Sequence, residues 1–201
     1  MLLDRSCVIW YMSIYLPKKN DFIDVMNQVW DGVPSKNLYA SDLRYDFFDM
    51  GYDLFKDRNT LDSTFIEADI FDDTSALVRD LTDKVDIVNA ASFFHLFNWN
   101  HQITIAKRVI SLLHARPGVL LIGRQVGRVD PPEPDEQENA PEHYRHDVAS
   151  WKKFWECVGR ETGTQWDVDA WMENWEGADR VMKNYHGGLE TYKLRFVVRR
   201  V

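Results

Sequence analysis

The chain has 201 residues, 45% apolar, 13% aromatic and 28% charged, with a formal net charge of −8. That balance suits one folded domain with a substantial core, and it excludes a disordered chain and the basic field of a nucleic-acid binder. Two cysteines, Cys7 and Cys157, exclude a disulfide framework and point to reduced thiols in a cytoplasmic protein.

Residues 1–21 read as a short N-terminal extension. Its apolar run, CVIWYMSIYL (7–16), is too short for a bilayer-spanning helix, which needs about 20 residues. It has no small-residue cleavage site, and Asp4 stands where a signal peptide is positive. It therefore reads as a buried helix or strand, and no membrane partner is expected.

FIDV (22–25) reads as a first buried strand and LYASD (38–42) as a second. Phe47, Phe48, Met50, Leu54 and Phe55 recur at helical spacing through Tyr45–Asp57. FIEADIF (65–71) is a third strand with Asp69 near its end, followed by a short helix over 75–81. VDIVNAASFFHLF (85–97) opens as a buried strand and runs into an aromatic loop. Ile103, Ala106, Ile110 and Leu113 then mark an amphipathic helix that Pro117-Gly118 ends. GVLLIGRQVG (118–127) is apolar enough for a strand buried on both faces.

Strand and helix thus alternate through residue 127, the pattern of a parallel sheet with helices on both faces. Ligands in such sheets lie beyond the carboxyl ends of the strands, which here carry Asp42, Asp69 and Asn89–His95. Residues 128–146 form an exposed loop rich in proline and acid, either a connection or a flap over a site. Asp147 is placed to cap a helix that buries Trp151, Phe154, Trp155 and Val158. Trp166, Val168, Ala170 and Met172 alternate as a half-buried strand should. Tyr192, Leu194, Phe196 and Val198 do the same in a last strand, antiparallel at or near a sheet edge.

These segments carry a resemblance. NLYASDLRYDFFDMGYDLFKDR, FIEADIFD, VDIVNAASFFHLFNWNHQ, PGVLLIGRQVG and RHDVASWKKFW, in that order, resemble the fungal class I S-adenosylmethionine-dependent methyltransferase-like enzymes of secondary-metabolite pathways, notably meroterpenoid ones. The resemblance covers about residues 22–201. It implies a single class I methyltransferase-like domain over 1–201: a Rossmann-like α/β fold, mostly parallel, with an antiparallel C-terminal hairpin. It implies S-adenosylmethionine as cofactor. Asp42, with Leu43 beside it, would take the ribose hydroxyls, since a carboxylate can accept two hydrogen bonds from a cis diol. Asp69 and Ile70 would flank the adenine, and Asn89, Ala90 and Ser92 would sit beside the methionine end. Read without the family, Asp42 is equally a helix cap and Asp69 a turn residue.

One departure from the family stands out. Its first strand is followed by a glycine-rich turn that lets backbone approach the cofactor. If FIDV is that strand, only Met26–Asn37 remain before strand two, with Gly32 the sole glycine. Three readings fit this gap: a relative that has lost catalysis, an enzyme with another cofactor arrangement, or a displaced exon edge.

Other constellations are less specific. His95 stands where a general base could act, or packs among aromatics. Phe93, Phe94, Phe97 and Trp99 could floor an apolar pocket or form core. Glu142, His143, His146 and Asp147 resemble a metal cluster but lack a further ligand pair, so no metal is expected. No G-x-G-x-x-G, G-x-S-x-G or Walker loop occurs. The resulting expectation is an O-methyltransferase acting on an apolar natural product, a terpenoid or polyketide, with homodimerisation compatible. The alternative is a non-methylating relative that serves as a cyclase, isomerase or binding partner.

Overall fold

The structure is a computed structural model that describes residues 34–134, 142–174 and 191–201, and the backbone alone of 8–11 and 191. Its strands are β1 (Val8–Tyr11), β2 (Leu38–Asp42), β3 (Thr64–Glu67), β4 (Ile87–Ala91), β5 (Leu120–Arg128), β6 (Trp166–Glu173) and β7 (Thr191–Arg200). Its helices are α1 (Asp46–Phe55), α2 (Ala76–Leu81), α3 (Trp99–Leu112) and α4 (Val148–Thr162). The strands form one seven-stranded sheet in the order β3-β2-β1-β4-β5-β7-β6. The first five strands pair in parallel, and β7 runs antiparallel between β5 and β6. This is the expected class I methyltransferase-like fold with its C-terminal antiparallel pair.

The first strand corrects the sequence reading. The place between β2 and β4 belongs to Val8–Tyr11, the strand alternative for the N-terminal apolar run. FIDV (22–25) lies outside the described residues. The link from strand one to strand two is therefore residues 12–37, long enough for a loop and a helix, and not the twelve residues inferred from FIDV. Gly32 is still the only glycine in it.

Among the described residues, two cores hold the sheet. Phe94, Trp151, Phe154, Trp155 and Phe196 belong to the larger one, with Trp151 stacked on Phe154 at 5.2 Å between ring centroids. The smaller one gathers Leu38, Ala40 and Phe48, with Phe65 and Ile87 against it. Helix α1 buries only Phe48 and Gly51; Met50 and Leu54, on its apolar spacing, are exposed. Helix α3 starts where the Asn98 side chain accepts from His101 N at 2.9 Å. Helix α4 starts at Asp147 and ends at Gly163, which takes the left-handed conformation that glycine tolerates (φ 66°). In β6, Trp166, Val168, Ala170 and Met172 pack on the larger core while Asp167 and Asp169 are exposed. No helix among the described residues is long and apolar enough to cross a membrane.

Candidate functional site

The chain runs outward from β1 to β2 and β3, then returns to β4 on the other side of β1, so the topological switch lies between β1 and β4. Tyr11 is level with Ser41 on one side and Ala90 on the other. Asp42 and Ala91 are the next residues of their strands. They flank the end of β1 two strand spacings apart, about 10 Å.

Asp42 is 2% exposed. One carboxylate oxygen, Oδ1, accepts from Arg44 N at 2.9 Å. The other, Oδ2, is buried with no hydrogen-bond partner. Burial pushes the Asp42 pKa up to about 6, against the opposing pull of the Arg44 backbone N–H. An ionised buried oxygen without a donor is costly, and such a group asks for a ligand hydroxyl. The Ser41 hydroxyl beside it is also buried and without a partner. The carboxylate therefore fits a ribose diol.

The other expected residues divide. Leu43 is 45% exposed. Asp69 lies in the turn after β3, exposed, and its Oδ1 accepts from Phe71 N at 2.9 Å, so it acts as a turn residue. Ile70 is 7% exposed and belongs to the larger core. Asn89 and Ala90 are buried on β4. Ser92 follows with a left-handed backbone (φ 56°), and its N–H donates to Arg124 O at 2.6 Å. His95 is half-buried in the 3-10 turn Phe94–Leu96. Phe93, Phe94 and Trp99 are core, which leaves Phe97 half-buried against Phe71 at 5.6 Å.

The histidines of the metal-like cluster have other work. His143 Nδ1 donates to Leu96 O at 2.8 Å. His146 is fully buried between Gln102 Oε1 (3.0 Å) and Ser150 Oγ (3.1 Å). Gln102 Nε2 donates to the carbonyls of Phe97 and Tyr144, so its Oε1 must face His146, and the ring proton sits on His146 Nε2. No group of three or more metal-ligating side chains occurs among the described residues.

Sequence reasoning named Ser92 but not its left-handed backbone, and it missed Ser41 and the role of Gln102. Nothing in the local pattern marks the Ser92 conformation or Gln102. The strand-end position of Ser41, next to Asp42, was the one available signal.

No protein-family model matches the chain. It is 47% identical over 145 residues to O-methyltransferase phiE of Fungal sp. (strain ATCC 74256), covering 72% of this chain and 48% of that protein. It is 43% identical over 157 residues to methyltransferase adrK of Penicillium rubens, covering 78% and 55%. It is 36% identical over 172 residues to the Asnovolin E/Chermesin D methyltransferase nvfJ of Aspergillus novofumigatus, covering 86% and 60%. The chain spans about half the length of the curated relatives it matches. Among solved structures, it is similar to the CurJ carbon methyltransferase with a TM-score of 0.61 at 15% identity, over 97% of this chain and 48% of that one. It is also similar to the [4+2]-cyclase SpnF with a TM-score of 0.64 at 9% identity, over 98% and 76%. At these identities the structural likeness shows the fold alone. Fold and relatives agree, and the chain belongs to the fungal secondary-metabolite methyltransferase family that includes phiE, adrK and nvfJ.

Proposed function

We propose that the protein is an S-adenosylmethionine-dependent methyltransferase that acts on a hydroxyl or carboxyl oxygen of an apolar natural product, a terpenoid or polyketide. The observation that carries this reading is Asp42: a buried carboxylate at the end of β2 with one oxygen unpartnered. Asp42 accepts the ribose hydroxyls, with Leu43 beside it. Ile70 packs against the adenine, and Asp69 is the residue that would meet its amino group. Asn89, Ala90 and Ser92 hold the methionine end on the other side of β1.

S-adenosylmethionine supplies, when bound, a methyl group on a sulfonium, which an acceptor oxygen takes as the carbon–sulfur bond breaks to a neutral thioether. The chain's own residues align and desolvate the acceptor, which supplies much of the rate for such a transfer. His95 is the residue that would remove a proton from a hydroxyl acceptor; a carboxylate acceptor needs no base.

A second reading is favoured by the glycine-free stretch 12–31. A chain that lacks the close backbone approach of a glycine loop could keep the fold and steer a cyclisation, and the [4+2]-cyclase SpnF has a similar fold.

Calorimetric titration with S-adenosylhomocysteine separates the two. Micromolar binding that Asp42→Ala abolishes supports methyl transfer. Absence of binding by a folded chain, together with conversion of a terpenoid at unchanged mass, supports the second reading.

A further inference from the structure

Strand β5 outruns its parallel neighbour, and the first residue past the overlap is a glutamine. Ala91 ends β4 level with Arg124, and Ser92 N donates to Arg124 O at 2.6 Å where its left-handed backbone ends the strand. Gln125 is therefore not paired with β4. It stands beyond the carboxyl end of that strand, in the half of the site away from Asp42. The 3-10 turn Phe94–Leu96, which carries His95, packs against β5.

The direction of the Gln125 side chain follows from its register. It is paired with Leu194 of β7, and directly opposed residues of an antiparallel pair project to the same face. That face belongs to the larger core, with Leu194 and Phe196. The β5 residues that share it on either side are Gly123 and Gly127, so the strand offers the amide no side chain to bond. Gln125 is 1% exposed, and both its Nε2 and its Oε1 are buried without a hydrogen-bond partner. Gln102 is the contrast. It is buried as completely, yet its Nε2 donates to the carbonyls of Phe97 and Tyr144 and its Oε1 accepts from His146 Nε2 at 3.0 Å. The fold satisfies the buried glutamine that serves it. An amide left with two donors and an acceptor unmet bears the full desolvation cost of those groups, and it asks for a ligand.

We propose that Gln125 reads the acceptor: its amide takes a neutral group that sets a hydroxyl beside a carbonyl. The inference rests on the methyltransferase reading for that group's belonging to the acceptor, and it narrows that reading to a neutral hydroxylated acceptor over an ionised acid. A primary amide holds a donor, Nε2–H, and an acceptor, Oε1, side by side in one plane. A hydroxyl next to a carbonyl presents the complementary pair, so both bonds form together out of water. A carboxylate offers acceptors alone and would leave Oε1 unmet against a negative oxygen. A site built to bond a substrate hydroxyl rejects the analogue that lacks it, because its own buried groups are then left unpaired. A glutamine amide does not take up a proton, so Gln125 determines specificity and leaves proton transfer to other residues.

The test uses 2-quinolinone, a neutral probe whose ring N–H and carbonyl lie side by side, and coumarin, its isostere with a ring oxygen in place of the N–H. Both are titrated into the whole chain with and without S-adenosylhomocysteine. 2-Quinolinone is expected to bind about tenfold more tightly, the factor that one unmet buried acceptor removes from coumarin. Gln125→Met, close in shape and without the amide, should bring the two probes near parity and leave S-adenosylhomocysteine affinity unchanged. In the ligand-free protein, Gln125→Met should not lower the urea midpoint, because it removes unmet polar atoms and keeps the bulk, whereas Gln102→Met should lower it. Equal binding of the two probes by the unmodified chain would overturn the inference, as would a preference that survives Gln125→Met. A lowered midpoint for Gln125→Met, or its failure to fold, would overturn it too, since the amide would then be bonded within the protein. A 2-quinolinone preference without S-adenosylhomocysteine binding would sink the methyltransferase reading alone; the reverse would sink this inference alone.

Discussion

The backbone N–H of Arg44 donates to Asp42 Oδ1 at 2.9 Å and leaves Oδ2 of the same carboxylate buried without a partner. Half of the charge is satisfied by the local turn and half is not. With its pKa raised to about 6, Asp42 should be a useful acceptor only above that pH. Affinity for S-adenosylhomocysteine should therefore hold from pH 8 to 7 and fall progressively below about 6, as the carboxyl gains a proton and becomes a donor. A flat calorimetric profile down to pH 5 would show that this carboxylate does not hold the ligand.

The same residue should limit stability. Its pKa rises from 3.8 unfolded to about 6 folded, so the native state binds the extra proton between those values. Stability contributed by this group falls as pH rises through that window, by about 3 kcal/mol in all. Asp42→Asn keeps the acceptor for Arg44 N but introduces a buried amide donor, which gives back about 2 kcal/mol. Urea unfolding at pH 7.5 should show a net gain of about 1 kcal/mol for Asp42→Asn, together with loss of nucleoside binding. Destabilisation with binding retained would contradict both parts.

His146 should act in the opposite sense. Burial holds its pKa down to about 3, against an ordinary 6.5. The unfolded chain protonates below 6.5 while the folded one does not, so stability falls as pH drops from about 6.5 toward 3. The loss from this group alone is on the order of 5 kcal/mol. Protonation would also turn Nδ1 into a donor and break its bond from the Ser150 hydroxyl. Replacing His146 by Gln should flatten the acid limb of the stability profile, at the expense of stability at neutral pH. An unchanged acid limb in His146→Gln would place the sensitivity elsewhere.

Much of this architecture can be read along the chain, and the parts that cannot have physical reasons. Helix α4 was legible because its signals are local: Asp147 at the cap, Trp151, Phe154, Trp155 and Val158 in phase, and Gly163 at the end. Strands β6 and β7 were legible because alternation survives in their faces. The identity of β1 was not, since CVIWYMSIYL and FIDV are both short apolar runs and only pairing with β2 and β4 decides between them. Asp42 was found by its strand-end position, but its stranded oxygen is a tertiary fact. Nothing local says that the 144–146 segment lies along the end of β5, where Arg128 N donates to His146 O. Met50 and Leu54 mislead for a related reason: helical spacing shows a stripe but not what covers it.

The turn after β4 is strained in a way that substitution can measure. Ser92 holds φ 56°, a region that costs a non-glycine residue about 1 kcal/mol or more. Ser92→Gly should be neutral or slightly stabilising, because strain relief offsets the added unfolded-state entropy. Ser92→Val should cost about 2 kcal/mol, since a β-branched side chain resists this conformation. Across from it, a Cβ on Gly123 would strike the Ala90 carbonyl oxygen and come within 2.7 Å of Phe196. The Ala90 backbone cannot yield without shifting β4, so Gly123→Ala should cost about 3 kcal/mol. Chemical denaturation of the three variants ranks them, and a tolerated Gly123→Ala would mean that the Ala90 backbone and the Phe196 ring can yield to a methyl group.

The start of α4 couples the helix cap to the buried His146. Asp147 Oδ1 accepts from Ser150 N at 2.7 Å, and Ser150 Oγ accepts from Asp147 N at 3.0 Å, closing a reciprocal cap. The same Ser150 hydroxyl is the donor to His146 Nδ1. Asp147→Ala should cost about 1 kcal/mol, the usual effect of removing one helix cap, with an unchanged denaturant slope. Ser150→Ala should cost more, about 2 kcal/mol, because it removes one arm of the cap and also strands a buried ring nitrogen. Ser150→Thr keeps the hydroxyl and should recover most of that loss. If Ser150→Ala proves no worse than Asp147→Ala, the hydroxyl serves the helix alone, and His146 is held by Gln102 without it.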